Sequence, residues 1–520
     1  MKQIYIALFV LLPFSLCAQE KIMVIADPHV LAQSLVEPGE AMDNMMASQR
    51  KMIDLSEPAW TALMDTAIKY QPDLVLIPGD LTKDSEKASH EVVVSALKNL
   101  HNHGIRTLVI PGNHDIGGKA YAYKGAERTE TENLKDSEWE KQYDWVYEQA
   151  VATDNGSHSY AAEPLPGLTV LGIDGSHDNA GTGSLSKETL DWLLSQADAA
   201  KKKGNAVLAM CHWQILEHFD MQGRLESACR LKDADAIRDS LMHHGVHLLL
   251  TGHFHVNSIS MFKDTTGLTS DSIVEISTGS PVTYPCPYRW LTLSPDRSTV
   301  SVATDYLTAL EGQPELNVYS REWMKVHTAN MVPELTLRAW NRAENSMDKI
   351  TGFLGDPKLV EQLMTIMPQT DEEKIALTEK YFSSTVVELY LVHSDANEYL
   401  NPKADSLAQE MYKGMEGMID EILSVNFLLK LSMQKMLTAI ALEVAHEPVQ
   451  SLVEDVTLWN TAHANRTDDL SAVFRVSEPR TNSGAEPVGD ETPSARTILR
   501  NGQILIERNG TLYTMQGVRL

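Results

Sequence analysis

Residues Arg106–Asp115 have the sequence RTLVIPGNHD, in which a short apolar run leads into a Pro-Gly pair and then into three polar residues. The run Arg106–Ile110 is rich in leucine and β-branched residues and predicts a buried strand that ends at the Pro-Gly turn. Asn113, His114 and Asp115 then follow the strand directly. Polar side chains beyond the carboxyl end of a buried strand are typical of a ligand-binding edge in an α/β sheet.

Other strands with the same composition are predicted across the first 310 residues. They are Lys21–Ala26, Asp73–Ile77, Leu168–Ile173, Ala206–Met210 and His247–Leu250. Amphipathic patterns between them predict helices at Glu57–Tyr70, Ser89–His101, Lys187–Lys203 and Ala234–His244. This alternation predicts an α/β core whose strands are covered on both faces.

Further metal-ligand side chains also follow these strands. They are Asp27 and His29, Asp80 after Gly79, His212, and His253 and His255 after Gly252. Hydrolysis with two metal ions needs mixed nitrogen and oxygen ligands around cations ~3.5–4 Å apart, with one carboxylate shared between them. Asp80 has two oxygens with which to bridge, and Asn113 adds a neutral oxygen. Alone, a Gly-Asp pair is a common turn and a single histidine is more often structural. Their fixed order after successive strands favours a metal site.

The order D-x-H, G-D, G-N-H-D, H and G-H-x-H, over residues 21–310, resembles that of the calcineurin-like metallophosphoesterase superfamily. The resemblance implies a two-sheet β-sandwich flanked by helices. It implies one metal site formed by Asp27, His29, Asp80 and His255, and a second formed by Asp80, Asn113, His212 and His253. In the implied mechanism a metal-bridging hydroxide attacks phosphorus, His114 contacts the scissile phosphate, and Asp115 orients the His114 ring. Mn, Fe and Zn all suit such ligands.

The chain, at 520 residues, is too long for one ordinary hydrophobic core, so we expect several domains. The phosphoesterase domain is expected at 20–310, followed by a mostly α-helical domain at 320–475. Residues 477–495 are rich in Pro, Gly, Ser and Glu, which predicts a linker. Residues 496–520 contain two Asn-Gly pairs between alternating runs, which predicts a small β-hairpin or meander tail.

The first 18 residues predict a signal peptide cleaved after Ala18, because Lys2 precedes an apolar run that ends in Leu16, Cys17 and Ala18. The run is too short to span a bilayer. Lipid attachment at Cys17 is the alternative, and the bulky Leu16 disfavours it. We therefore expect a periplasmic or extracellular protein without a transmembrane segment after cleavage. Among the remaining cysteines, a bridge between Cys229 and Cys286 is left open.

The predicted function is an exported, dinuclear-metal phosphoesterase acting on small-molecule phosphate mono- or diesters, with small phosphodiesters favoured. A nuclease with the same ligands is one alternative, which the net charge of -27 disfavours. A metal-retaining, non-catalytic binding or scaffold protein is the other. The long loops 30–58 and 116–144 are expected to set specificity. Their Lys119, Lys124 and Arg128 are candidate phosphate contacts, although solvated charges are favoured. His158, His177 and His218 lie in loops that are candidates to approach the cleft.

Overall fold

The computed structural model describes residues 19–176, 182–218, 222–225, 227–264, 272–344, 361, 364–396, 403–424, 471–475, 495–500, 503–508 and 511–514. The predicted signal peptide and residues 477–494 of the predicted linker lie outside these ranges. Met1–Pro479 and Arg480–Leu520 form two separate compact units.

The first unit contains sixteen described strands, which are β1 Glu20–Val24, β2 Val36–Glu37, β3 Leu74–Pro78, β4 Arg106–Ile110, β5 Tyr121–Lys124, β6 Glu127–Glu130, β7 Ala150–Thr153, β8 Tyr160–Leu165, β9 Leu168–Ile173, β10 Ala206–Cys211, β11 Leu248–Thr251, β12 Ser258–Lys263, β13 Ser272–Ser277, β14 Pro287–Leu293, β15 Thr299–Tyr306 and β16 Ser471–Arg475. Its described α-helices are α1 Glu40–Ala47, α2 Ser56–Tyr70, α3 Lys87–Asn102, α4 Trp139–Gln142, α5 Asp144–Glu148, α6 Lys187–Lys202, α7 Gln222–Leu225, α8 Ala234–His243, α9 Leu316–Glu344, α10 Asp371–Asp395 and α11 Lys403–Ser424.

Two large sheets form the body of this unit. The first has the strand order β16-β15-β14-β1-β3-β4, in which β1, β3 and β4 are parallel neighbours. The second has the order β12-β13-β11-β10-β9-β8-β7, and its central strands β9, β10, β11 and β13 are parallel. The carboxyl ends of parallel neighbours lie at one edge of a sheet, so the loops that follow β1, β3, β4, β10 and β11 leave from such edges.

The sheets pack face to face around one core and are covered by helices outside. In β10, Leu208 and Met210 join a core cluster that also contains Ile22 of β1 and Leu108 of β4. The alternate residues of β10 join Leu193 of α6 and Ile237 of α8 in a second cluster. Helices α2 and α3 add buried side chains to the first cluster, so each predicted strand is buried on both faces. The expected two-sheet β-sandwich flanked by helices is confirmed.

The two long loops expected to set specificity fold together. Strand β2, in the loop after β1, pairs in parallel with β5, in the loop after β4, and β5 forms a hairpin with β6. Buried residues of both loops share a small core that includes Leu35, Met42 and Tyr123. Neither this pairing nor strands β7 and β8 was predicted from the sequence.

Beyond β15 the described chain is mainly helical, as predicted. Helix α10 begins at Asp371, where Thr370 accepts a hydrogen bond from the Glu373 amide in a capping box. Helix α9 packs against α10, and α10 packs against α11. Ser471–Arg475, at the end of the predicted helical domain, is instead strand β16, which pairs antiparallel with β15 at the edge of the first sheet.

The second unit contains an antiparallel three-stranded meander, formed by β17 Ala495–Arg500, β18 Gln503–Arg508 and β19 Thr511–Thr514. The residues between these strands, 501–502 and 509–510, carry the predicted Asn-Gly turns and lie outside the described ranges. Within the described residues, no helix combines the length and apolar character that crossing a membrane requires. The domain boundaries themselves stay predictions.

Candidate metal centre

All nine side chains predicted for the site lie in loops that directly follow parallel strands. Asp27 and His29 follow β1, Asp80 follows β3, and Asn113 to Asp115 follow β4. In the second sheet His212 follows β10, while His253 and His255 follow β11. The structure brings six of these side chains together as two clusters that share Asp80, and Asn113 lies against the second cluster.

The first cluster contains Asp27, His29, Asp80 and His255, whose ligand atoms all lie within 4.8 Å of one another. Nε2 of His29 lies 3.0 Å from Nε2 of His255 and 3.5 Å from Oδ2 of Asp80. Nε2 of His255 is 3.4 Å from Oδ1 of Asp27. Two imidazole nitrogens and two carboxylates thus converge on one small volume.

The second cluster contains Asp80, His212 and His253. Nε2 of His212 lies 3.1 Å from Nδ1 of His253, 3.0 Å from Oδ1 of Asn113 and 3.3 Å from Oδ2 of Asp80. The other His212 nitrogen, Nδ1, lies 2.9 Å from the Pro78 carbonyl oxygen, to which it donates when Nε2 is the ligand atom. Asn113 is the one predicted ligand whose donor atom is an amide oxygen.

Asp80 belongs to both clusters through the same oxygen. Oδ2 faces His29 on one side and His212 on the other. Oδ1 accepts a hydrogen bond of 2.9 Å from the His114 amide, which fixes the orientation of the carboxylate. This is the position that a carboxylate shared by two metal ions requires.

The electrostatics of the clusters fit cations. Burial lowers the pKa of His29, His253 and His255, which keeps their ring nitrogens neutral and able to donate lone pairs to a metal. Burial opposes a charge on His212, but Asp80 and Asp27 raise the pKa of that imidazole to about 9. The carboxylates therefore draw positive charge into a buried volume, as a donor set for metal ions does.

The backbone is strained at five of the predicted ligands. The φ angle lies between 44° and 65° at Asp27, His29, Asp80, His253 and His255. Residues other than glycine seldom adopt this region. Such conformations cost about 1–3 kcal/mol each and persist where the surrounding structure enforces them. Their concentration at the strand ends is independent support for a functional site.

Two motif glycines leave room for the carboxylates. A Cβ atom on Gly112 would lie 2.2 Å from Oδ1 of Asp80, and one on Gly252 would lie 2.3 Å from Oδ2 of Asp27. Real Cβ atoms do not approach other atoms so closely. Glycine in G-N-H-D and G-H-x-H is therefore a steric condition for placing Asp80 and Asp27.

His114 lies beside the clusters, and its ring is held by a residue that the sequence reasoning missed. Nδ1 of His114 lies 2.8 Å from Oδ1 of Asp84. Burial opposes ionisation of Asp84, but the hydrogen bond with His114 and the Lys83 ammonium lower the pKa of that carboxyl to about 2. With Nδ1 directed at Asp84, Nε2 is the His114 nitrogen left for a substrate. Asp84 lies four residues after Asp80 of the G-D motif, and this short spacing is the sequence feature from which a role near the site could have been predicted.

Asp115 has different partners from those we expected. Its carboxylate accepts hydrogen bonds from the amides of Leu81, Thr82 and Gly112 and from the Thr82 hydroxyl. Among the described hydrogen bonds, none joins Asp115 to the His114 ring. Burial and the nearby Asp80 raise the pKa of Asp115 to about 7, and the amide donors oppose this shift. Asp115 therefore ties the G-D loop to the G-N-H-D loop, and orientation of His114 falls to Asp84.

A cavity of about 410 Å³ opens onto the clusters, with Asp80, His114, His253 and His255 in its lining. Met324 and Met331 of α9 and Tyr390, His393 and Ser394 of α10 line it as well. Phe254, between two predicted ligands, makes an edge contact with the His393 ring at 5.6 Å. The helical region thus forms one wall of the cavity.

The remaining candidates have structural surroundings. Lys124 pairs with Glu37, and Arg128 stacks on the Tyr121 ring. His158 lies 3.0 Å from Asp136, and His218 lies 2.9 Å from buried Glu275. His177 lies outside the described residues. Lys119 is exposed, which agrees with the solvated charge that the sequence favoured. None of the three cysteines in the described residues forms a disulfide, so the open bridge between Cys229 and Cys286 is absent.

Part of the chain is similar to known proteins. Residues 20–257 match the family model described as calcineurin-like phosphoesterase. Among solved structures, a dimetal phosphatase from Danio rerio is 14% identical with a TM-score of 0.40, over 55% of this chain and 95% of that one. Purple acid phosphatase PPD1 from yellow lupin (Lupinus luteus) seeds is 10% identical with a TM-score of 0.36, over 56% of this chain and 52% of that one. No curated protein matches the chain. The region that matches this family model, residues 20–257, contains every member of both clusters.

Proposed function

We propose that this protein is an exported phosphoesterase that uses two metal ions to hydrolyse small phosphate esters, with phosphodiesters preferred over phosphomonoesters. The observation that carries the proposal is the sharing of one Asp80 oxygen between two clusters of imidazoles and carboxylates.

One ion would be held by Asp27, His29, Asp80 and His255, and the other by Asp80, Asn113, His212 and His253. When bound, the ions would place positive charge against the phosphoryl oxygens and lower the pKa of the attacking water. Mn, Fe and Zn are the candidate metals, because all three accept imidazole together with carboxylate ligands.

His114 would act on the phosphate itself. Its ring lies 4.9 Å from that of His29, at the boundary of the first cluster and in the cavity lining. Asp84 fixes the ring through Nδ1, so Nε2–H would donate a hydrogen bond to a phosphoryl oxygen or a proton to the leaving oxygen. Asp115 would act through the backbone, by holding the loops that carry Asp80 and Asn113.

The cavity supports a small substrate. Its volume of about 410 Å³ lies at the lower end of the range for small-molecule sites. The wall contributed by α9 and α10 restricts access by a long polymer, and the net charge of -27 repels polyanions at long range. Both features favour small phosphate esters over nucleic acid.

Export is part of the proposal and is based on the sequence of residues 1–18. The proposed boundaries are a signal peptide at 1–18, a phosphoesterase domain at 20–310, a helical domain at 320–475, a linker at 477–495 and a β tail at 496–520. Detection of the processed protein in a periplasmic or culture-medium fraction would test the signal peptide.

The activity test uses protein beginning at Gln19, stripped of metal and reloaded separately with Mn, Fe or Zn. Hydrolysis of bis-4-nitrophenyl phosphate and 4-nitrophenyl phosphate is then measured beside the bound metal content. We expect two metal equivalents, metal-dependent turnover and a higher kcat/KM for the diester. His114→Ala should lower kcat, and Asp144→Ala on the surface is the matched control.

Each other outcome identifies a different error. A strong preference for the monoester would reverse the proposed order of substrates. Metal binding without turnover of either ester would favour a binding or scaffold protein. Cleavage of labelled single-stranded DNA at physiological salt would favour a nuclease.

A further inference from the structure

Two consecutive cationic residues, Arg50 and Lys51, line the cavity over the metal clusters. They lie in the loop between α1 and the short 3-10 helix Ile53–Leu55. Nζ of Lys51 lies 3.5 Å from Nε2 of His29 and thus reaches the first cluster. The Arg50 guanidinium lies 5.0 Å from the centre of the Tyr390 ring and thus reaches helix α10. The two cations therefore face different ends of one cavity.

Neither cation has an ion-pair partner within 4.0 Å among the described residues, whereas several nearby cations do. Lys83 pairs with Asp84, and Lys124 pairs with Glu37. The Asp80, Asp84 and Asp27 carboxylates act on the Lys51 ammonium from a longer distance than an ion pair, and the net charge of the chain is -27. Charged groups that leave water are stabilised by opposite charge, and an anionic ligand would supply it here.

The lining of the cavity mixes polar side chains with apolar and aromatic ones. Phe254, Met324 and Met331 line it together with Tyr390. The predicted ligand set contains only two carboxylates, Asp27 and Asp80, so two bound metal ions would leave an excess of positive charge near Lys51 that attracts an anionic phosphoryl group. The end near Arg50 has a cation stacked on an aromatic ring, an arrangement that orients a guanidinium for a planar anion.

We propose that Lys51 binds the phosphoryl group undergoing hydrolysis, while Arg50, positioned by Tyr390, binds a second anionic group of the same substrate. The inference rests on the proposed function and narrows its substrate class. The preferred substrates are small phosphate esters that carry a carboxylate or a second phosphate on the far side of an apolar or aromatic spacer. Tyr390, which lies outside the residues matched by the family model, is a positioning residue.

The test compares phenyl and 4-carboxyphenyl esters, each as the phosphomonoester and the methyl phosphodiester, with metal-loaded protein. Arg50→Gln should lower kcat/KM about tenfold for the carboxylated esters, mainly through KM, and leave the plain esters nearly unchanged. The different reactivity of the two leaving groups cancels when wild type and variant are compared. Arg128→Gln is the matched control, because Arg128 also stacks on a tyrosine but does not line the cavity.

Lys51→Gln should instead lower kcat/KM for all four esters by a similar factor while the protein keeps two metal equivalents. Tyr390→Leu should weaken the preference for the carboxylated esters, and Tyr390→Phe, which keeps the ring, should restore it. A binding measurement that needs no turnover accompanies these assays. Calorimetry with 4-carboxybenzylphosphonate should show weaker binding to the Arg50→Gln variant, with benzylphosphonate unaffected.

The outcomes separate the two proposals. If wild type hydrolyses the esters but Arg50→Gln affects plain and carboxylated compounds equally, the second anionic site is wrong and the proposed function stands. Loss of metal from Lys51→Gln would refute the phosphate-binding role of Lys51. If wild type hydrolyses none of the esters but 4-carboxybenzylphosphonate still binds Arg50→Gln more weakly than wild type, the proposed function fails and the anion site stands.

Discussion

Replacement of Asp84 by asparagine tests whether Asp84 or Asp115 orients the His114 ring. The pKa of Asp84 falls from 3.8 to about 2 despite its burial, which corresponds to about 2 kcal/mol of favourable interaction with its partners together. Lys83 contributes part of this energy, which leaves roughly 1–2 kcal/mol for the contact with His114. Asparagine retains an oxygen that accepts the hydrogen bond but loses the charge. If the carboxylate stabilises a positive His114 in the transition state, kcat should fall about tenfold.

The assay measures kcat for an aryl phosphate ester, bound metal and thermal stability in parallel. Asp84→Asn should keep two metal equivalents and nearly the wild-type Tm, because the Asp84 side chain is 29% exposed. Asp115→Asn should show the opposite pattern, with a lowered Tm and weaker metal binding, because that buried carboxylate accepts hydrogen bonds from two loops. A normal kcat in Asp84→Asn, together with a reduced kcat in fully metal-loaded Asp115→Asn, would refute the assignment and restore the role first expected for Asp115.

Other predictions concern the bridging ligand, a motif glycine and a buried histidine. Asp80→Ala should bind fewer than two metal ions, because it removes the oxygen shared by both clusters, and two retained equivalents by elemental analysis would contradict the bridge. Gly112→Ala should weaken metal binding at least tenfold and destabilise the fold by about 1–3 kcal/mol, because its Cβ would meet Asp80. Gly156→Ala, whose Cβ has ordinary contacts of 3.6 Å and longer, is the control in the same titration and urea denaturation. Burial lowers the pKa of His90 to about 4, so below pH 6.5 the unfolded chain takes up a proton that the folded protein does not. Metal-free wild type should therefore lose roughly 2 kcal/mol more stability than His90→Gln between pH 7.5 and 5. Equal losses of unfolding free energy in urea denaturation would exclude His90 as a source of the pH dependence.

The sequence was sufficient to predict the strands that precede the candidate metal ligands. Arg106–Ile110, which precedes Asn113, was predicted with its observed bounds, and the predicted Ala206–Met210 is one residue shorter than β10, because buried parallel strands are rich in Val, Ile and Leu. The candidate metal ligands could be selected from the sequence for a related reason. Each follows such a strand within a few residues, so local spacing already places it at the edge of a sheet.

The missed features depend on contacts between residues far apart in sequence. Strand β16 is five residues long and is stabilised by pairing with β15, about 170 residues earlier, so its own composition carries little signal. Arg50 and Tyr390 are 340 residues apart, and only the packing of α10 against the cavity brings them together. The assignment of Asp115 to His114 failed because adjacency in sequence does not determine side-chain direction, and Asp115 turns into the core.

The strained ligand loops explain why the site lies between two well-packed sheets. Five ligands at positive φ together cost roughly 5–15 kcal/mol, a sum comparable to the whole net stability of an ordinary domain. A loop without rigid flanks would relax out of such conformations. Here each strained residue follows a buried strand, and the His29 and His253 amides are held by Asp80 and Asp27. Because the first sheet supplies Asp27, His29, Asp80 and Asn113 and the second supplies the other histidines, the sandwich core fixes the distance between the two ligand sets.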